Sequence, residues 1–459
     1  MRRHLLTVAL LSCALGAAGA VYAMWRHAHE PVEYASRPPV WKASGLSWQK
    51  VAIEAAATSE RATPEKARIT NVQIVDFDND GVNDVLVCDP QRNAVMWYES
   101  TAAGWREHLL AENLLVPAHA TLVDLDADGD RDVVVAELGD IWPSDELVGR
   151  LVLLENQGAQ GGYRRHVLLD AVRRVADAQA GDFDGDGDLD LAVAVFGYSR
   201  GEVLWLENLS AGKFCEHRLW SRAGAIHVPV ADFDGDGDLD IATVISQDDE
   251  EVLGFENDGH GEFRPRTLFS SLNYDLGSAG LVLTDLDQDG DADLLLPVGD
   301  NLEENYTWPQ PYHGCFWLEN LGDWRFAARR IATYGSTYAA AAGDLDADGD
   351  LDVVLASFMN DWNDRELPSI VWLQNDGAQN FQLRPLDTAP THLVTVACGD
   401  LNGDGRDDVV AGGLHLRPPF DRLGRVSAWM SQSASRAAHL RAAEGGSRRG
   451  EMSREASAE

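Results

Sequence analysis

Three kinds of short apolar run recur along the chain in a fixed order. The first is an aspartate followed by three aliphatics, as in Asp84-Val85-Leu86-Val87, Asp132-Val133-Val134-Val135, Asp190-Leu191-Ala192-Val193 and Asp352-Val353-Val354-Leu355. The second ends in an acid or amide: Val95-Met96-Trp97-Tyr98-Glu99, Val203-Leu204-Trp205-Leu206-Glu207-Asn208 and Ile370-Val371-Trp372-Leu373-Gln374-Asn375. A turn rich in Asn and Gly leads to the third, aromatic at its start and aliphatic five residues on, in the pairs Trp105/Leu110, Tyr163/Leu168, Phe214/Leu219, Phe263/Leu268, Phe326/Ile331 and Phe381/Leu386. Runs this short, rich in β-branched and aromatic residues and bounded by turn formers, predict strands. With one strand before them, each set reads as a four-stranded antiparallel meander.

In front of the first run stands an acidic cassette, Asp-X-Asp-X-Asp-Gly-X-X-Asp, seven times over. The copies begin at Asp76, Asp124, Asp182, Asp232, Asp285, Asp344 and Asp400, with gaps of 48, 58, 50, 53, 59 and 56 residues. Four-stranded units at this period are blades of a propeller. The predicted fold is therefore all-β, a seven-bladed β-propeller spanning residues 46–431. The seventh unit has its third strand at Val426-Ser427-Ala428-Trp429-Met430 and no outer strand after it. At the other end of the chain, Trp48-Gln49-Lys50-Val51-Ala52-Ile53 repeats the aromatic-to-aliphatic spacing of the outer strands, so residues 48–53 are expected to complete the last blade and remove the open edge.

Residues 26–45 read as a linker. Residues 432–459, dominated by Ser, Ala, Arg, Glu and Gly, read as a disordered tail. In residues 1–25, Arg2 and Arg3 precede an uncharged run from Leu5 to Trp25 that contains Ala18-Gly19-Ala20. That is the pattern of a cleaved signal peptide, and the run is also long enough for an uncleaved signal anchor. Export to the periplasm, cell surface or medium is expected, with the membrane engaged only through this segment. Cys88, Cys215, Cys315 and Cys398 show no paired spacing, so neither a disulfide framework nor a zinc motif is signalled.

The chain has 459 residues and a formal net charge of −38, with 75 acids. Positions one, three, five and nine of the cassettes hold 27 of those acids, and seven divalent ions would return 14 positive charges. The acidity thus reads as a demand for cations and argues against nucleic acid, which needs a basic footprint. Calcium takes six to eight hard oxygen ligands, and alternate early carboxylates, a turning glycine and a late aspartate can wrap one ion. The candidate ligands are Asp76, Asp78, Asp80 and Asp84; Asp124, Asp126, Asp128 and Asp132; Asp182, Asp184, Asp186 and Asp190; Asp232, Asp234, Asp236 and Asp240; Asp285, Asp287, Asp289 and Asp293; Asp344, Asp346, Asp348 and Asp352; and Asp400, Asn402, Asp404 and Asp408. Up to seven calcium ions are expected, the seventh loop being weakest because Asn402 removes a charge and Arg406 opposes binding. An EF-hand is excluded: its twelfth position needs Glu and here is Val87, Val135, Val193, Thr243, Leu296, Leu355 or Ala411.

The stretches Asp-Phe-Asp-Gly-Asp-Gly-Asp-Leu-Asp at 182–190 and 232–240 resemble the FG-GAP or VCBS repeats of integrin α-chain-type propellers. The resemblance covers about residues 46–431. It implies a seven-bladed propeller with calcium loops on one face and ligands on the other. Family function is diverse, spanning adhesion, lectin-like and scaffold roles and a few polysaccharide lyases or sugar dehydratases.

On the face opposite the cassettes, the loops between second and third strands differ most from blade to blade. They carry Trp142, Trp308, Tyr312, Trp362 and His415. His119, His227 and His392, with Arg68, Arg174 and Tyr338, precede first strands and could ring the channel mouth. These are candidate ligand residues for a protein or glycan, the alternative being loops that merely cap the channel. The first reading is a monomeric, exported binding module without catalysis. The second is a carbohydrate-active enzyme of lyase or dehydratase type, which would require these side chains to converge.

Overall fold

The computed structural model describes residues 46–53, 66–158, 161–210, 212–247, 249–302 and 309–433. The signal segment at 1–25 and the linker at 26–45 lie outside these residues, as does the tail beyond Ser433. Among the described residues, 28 strands form seven four-stranded antiparallel sheets, one per blade. Blade 3 is representative: Arg174–Gly181, Asp190–Phe196, Glu202–Asn208 and Phe214–Trp220 pair in chain order from the innermost strand outward. The predicted seven-bladed propeller is the fold.

Burial explains why the runs look as they do. The second strand of each blade is flanked by neighbouring blades on both faces, so Asp84–Asp89, Asp132–Glu137 and Asp240–Ile245 are buried at every position. Such strands read as continuous apolar runs rather than alternating ones. The outer strands face solvent, and Phe263–Ser270 is largely exposed.

The core is distributed. Seven apolar clusters each straddle two consecutive blades; one packs Ile69, Val85, Val87 and Met96 of blade 1 against Val410, Val426 and Ala428 of blade 7. Hydrogen bonds join the blades all the way round. Thr70 Oγ1 donates to Pro117 O at 2.7 Å, and Thr121 Oγ1 to Ala178 O. Val228 N donates to Asp177 Oδ2 at 3.1 Å and Asn320 Nδ2 to Phe233 O at 2.9 Å. Gln288 Nε2 donates to Gly349 O at 3.0 Å and Asp344 N to Asp407 Oδ2 at 2.9 Å. Val72 N donates to Thr395 Oγ1 at 3.0 Å and closes blade 1 on blade 7. Several of these bonds satisfy backbone groups on the free edges of innermost strands, which would otherwise lack partners.

The seam is as expected. Leu46–Ala52 pairs antiparallel with Val426–Ser433 as the outermost strand of the last blade, from Leu46 opposite Ser433 to Ala52 opposite Ser427. Ile53 lies just past the strand and still donates its N–H to Val426 O at 3.1 Å. The last strand runs to Ser433, two residues beyond the predicted boundary at 431.

Candidate functional site

Each cassette joins the first and second strands of its blade, so all seven lie at one end of the ring. The first aspartate organises the loop. Asp76 accepts the N–H of Asp80 on Oδ1 and of Gly81 on Oδ2, both at 3.0 Å, and Asp285 does the same with Asp289 and Gly290. The sixth-position glycines have φ between 81° and 100° in every copy, a left-handed conformation that a side chain would strain.

The ninth aspartate ties the loop to its blade. Asp84, Asp132, Asp190, Asp240, Asp293, Asp352 and Asp408 are at most 2% exposed. In blade 3, Asp190 accepts Phe183 N on Oδ2 at 3.2 Å and Asn208 N on Oδ1 at 2.7 Å; in blade 7, Asp408 accepts Leu401 N and Ser431 N in the same way. Burial, reinforced by the other cassette aspartates, pushes these carboxyls up: to about 6 for Asp84, Asp132, Asp190, Asp293 and Asp408, about 7 for Asp240 and about 8 for Asp352.

These loops fit a hard cation. Carboxylate oxygens converge within 4.8 Å of one another in the sets Asp76/Asp78/Asp80, Asp124/Asp126/Asp132, Asp182/Asp184/Asp186 and Asp232/Asp234/Asp240. Asp287 Oδ1, Asp346 Oδ1 and Asp352 Oδ2 are buried acceptors without a hydrogen-bond partner. An all-oxygen donor set with acceptors to spare matches the chemistry calcium requires. The seventh loop differs, because Asn402 Nδ2 donates to Asp408 Oδ2 at 2.9 Å and takes up one of its acceptors.

A second group lies where the innermost strands surround the axis. The residues five places before each cassette are Asn71, His119, Asp177, His227, Gly280, Ala339 and Thr395. Register confirms that His119, Asp177, Ala339 and Thr395 are equivalent, facing Ala136, Ala194, Ala356 and Gly412 across a bulge. Blades 2, 3 and 4 thus bring two imidazoles onto one carboxylate. His119 Nδ1 lies 3.0 Å from Asp177 Oδ1, and His227 Nδ1 lies 3.5 Å from Asp177 Oδ2. Gln179 Nε2 donates to Oδ1 at 3.0 Å. Burial pushes the Asp177 carboxyl up, but His119, His227 and the Val228 N–H outweigh it and hold the group below the usual carboxylate range. Burial lowers the pKa of His119 against the pull of Asp177. His119 Nδ1 is thus held against an ionised carboxylate, which orients the imidazole. His119 and His227 retain 17% and 31% of their side-chain surface.

His392 does not belong with them. It stands eight residues before its cassette, the place held elsewhere by Arg68, Val116, Arg174, Gly224, Gly277 and Ser336. This is a turn position: Val116, Gly224, Gly277, Ser336 and His392 have φ of 57°, 87°, 72°, 52° and 59°. The expected ring of three histidines therefore mixes two registers. His392 is fully buried, its ring 5.4 Å from that of His415 and 6.0 Å from that of Trp362, and burial lowers its pKa to about 3.

Much of the opposite face proves to be a packed cap. Phe358, Met359, Val394 and Leu414 form an apolar cluster joined by Ile141, Leu302, Tyr338 and Leu416, drawn from blades 2, 5, 6 and 7. Trp362 is 3% exposed and donates its indole N–H to Phe358 O at 2.9 Å. His415 is 1% exposed, with Nε2 3.0 Å from Gly424 O. Arg174 donates to Asp140 O at 3.0 Å and Ile141 O at 3.2 Å, and burial lowers its pKa to about 10. Half-buried Arg68 sits in a bridge to Leu414. Tyr312 packs against the core between blades 4 and 5. Trp308 lies outside the described residues. Trp142 differs, being 45% exposed.

Trp142 has company that the sequence reading did not single out. Leu147 in its own loop and Tyr198 in the corresponding loop of blade 3 are exposed, and Ser199 N donates to Asp145 Oδ1 at 2.9 Å to join the two loops. Leu272 and Tyr274, on the connection from blade 4 to blade 5, are exposed at the same end of the ring.

Seven cassette-bearing, four-stranded blades define a repeat β-propeller. The chain belongs to the FG-GAP-like repeat family, whose model matches residues 76–135, 124–193, 182–243, 232–296 and 344–411, more than half of its length. A search of curated proteins finds no match. Among solved structures, the chain is similar to BBS1N in crystals of its complex with ARL6DN, one soaked with lead and one with mercury. In both cases identity is 12% and the TM-score 0.49, over 83% of this chain and 96% of the other. Neither likeness bears on ligand or partner.

Proposed function

We propose that the protein is an exported, calcium-stabilised interaction module that binds a ligand at the loop end of the propeller, away from the cassettes. The observation that carries this reading is the exposed group Trp142, Leu147 and Tyr198 on two hydrogen-bonded loops of adjacent blades, with Leu272 and Tyr274 further round. Large apolar side chains held out on a rigid scaffold are characteristic of recognition surfaces. Leucines beside the aromatics favour a protein partner over a glycan, which uses aromatic faces for stacking. The family membership is in keeping with such a role. Export is supported by the leader-like pattern of residues 1–25, and calcium by the cassette chemistry.

The convergence of His119 and His227 on Asp177 supports a second reading, a carbohydrate-active enzyme in which a carboxylate-oriented imidazole moves a proton. One experiment separates the two. The calcium-loaded protein and its Trp142→Ala/Tyr198→Ala variant are compared on glycan arrays and in affinity capture, and His119→Ala is assayed for polysaccharide turnover. A ligand kept by the parent and lost by the double variant, without turnover, is the expected result. Turnover that disappears in His119→Ala would select the enzyme.

A further inference from the structure

Blades 1 to 5 repeat a small electrostatic device on their outer two strands. The third strand carries a glutamate near its end, and the outer strand answers it with a cation. Arg106, Arg164 and Arg264 stand opposite Glu99, Glu155 and Glu256 in blades 1, 2 and 4. In blade 5, Arg329 pairs with Glu319. Two places further along the outer strand, His108, His166, His217, Arg266 and Arg329 also pair with these glutamates, and what sets blade 3 apart is the thiol of Cys215 directly opposite Glu207, where blade 5 has Ala327. Two residues along the same strand, His217 lies opposite Trp205. Positions two apart on a strand share a face, so Glu207, Cys215 and His217 point the same way.

One ligating atom from each of the three lies within 4.8 Å of the others. His217 Nε2 is 2.6 Å from Glu207 Oε2, and its ring stacks on Trp205 with centroids 4.4 Å apart, which fixes the imidazole plane. The Glu207 and His217 side chains are 25% and 39% exposed, so an ion can reach them from solvent. Cys215 is a half-buried free thiol.

We propose that Glu207, Cys215 and His217 form a transition-metal site of the zinc type, built where blade 3 sets a thiol beside the histidine–glutamate pair that blades 1 and 2 also carry. Sulfur, nitrogen and carboxylate oxygen together suit a borderline divalent ion, not calcium, and three protein ligands leave a fourth position to water. The thiol loses its proton to solvent on binding, and the ion replaces the hydrogen bond between His217 and Glu207. The site adjoins the third cassette, since Asn208 beside Glu207 donates its N–H to Asp190, but differs from it in chemistry, because the cassettes offer only oxygen donors.

The test is a Co²⁺ titration of the full chain in excess calcium, which occupies the all-oxygen loops. The expected result is a thiolate-to-cobalt charge-transfer band that saturates at one ion per chain and is bleached by Zn²⁺. Cys215→Ser should abolish the band and Cys398→Ser should leave it intact. His217→Gln should weaken binding in a protein with an unchanged melt, which decides the matter if the serine variant fails to fold. No band in the parent protein, or a band that survives both Cys215→Ser and His217→Gln, would overturn the assignment.

Discussion

Asp177 shows what a single residue contributes that neither composition nor motif announces. No motif marks it in the sequence, where it stands far from both His119 and His227. Counting five places back from each cassette puts Asp177 in one file with His119 and His227, so the information was present in the sequence. What the sequence lacked was the reason to trust that register, namely the bulge that aligns these positions across blades. Glu250 is a second buried acid with a measurable consequence. It is 3% exposed and accepts Gly277 N and Ser278 N at 3.0 Å each. Burial raises its pKa from 4.5 to about 7. Folding therefore favours the protonated form, and this stability is present below pH 4.5 and is lost as the pH rises through about 7. Denaturation of the parent and of Glu250→Gln across that window should show the parent losing stability relative to the variant as pH increases. A constant difference would contradict the assignment.

The strands and cassettes were the most legible elements, because burial on both faces enforces aliphatic runs and the tight loop enforces glycine. The long loops were the least legible. Trp362 and His415 read as exposed binding groups but pack inside the cap, since an indole or imidazole in a loop looks the same whether it meets solvent or another loop. The cassettes also proved to have two jobs: their aspartates converge on a shared point, Asp132 and Asp240 of the ninth position among them, and the ninth in addition anchors the loop to the third strand through backbone N–H groups. Removing calcium should therefore lower the melting temperature. Each ion bound at a hundred times its dissociation constant adds about 2.7 kcal/mol to the folded state. In calorimetry the seventh loop should be the first to empty on chelation, and Asn402→Asp should raise the bound calcium by one ion if that loop is vacant at the working concentration. A melt unaffected by confirmed calcium removal would contradict the reading of the cassettes.

At the scale of the molecule, cohesion is a closed circuit of seven interfaces between consecutive blades, and the seam is the point where the chain itself closes it. Trp48 carries much of that closure. It packs with the core between blades 6 and 7 and meets Trp372 edge to face, with ring centroids 6.2 Å apart. Trp48→Ala should cost about 3 kcal/mol, at the low end for a core tryptophan because the ring is half-buried. Chemical denaturation would measure it, and a loss comparable to that at an exposed outer-strand site would show that the seam is not critical. The ring closure was foreseeable from the missing outer strand, because the count of strands per blade has to balance. The pairing of Leu46 with Ser433 has a further consequence for how the protein is made. The strand Leu46–Ala52 leaves the ribosome ahead of the blades and can find its partner only after all of them have been synthesised. Until then the chain carries an unmatched strand ahead of blade 1, and in blade 7 an open edge. Two nascent chains that meet in this state can exchange those strands, each completing the other's last blade with native contacts. Dilution favours closure within one chain, so the seam that locks the ring also sets a crowding limit on its assembly.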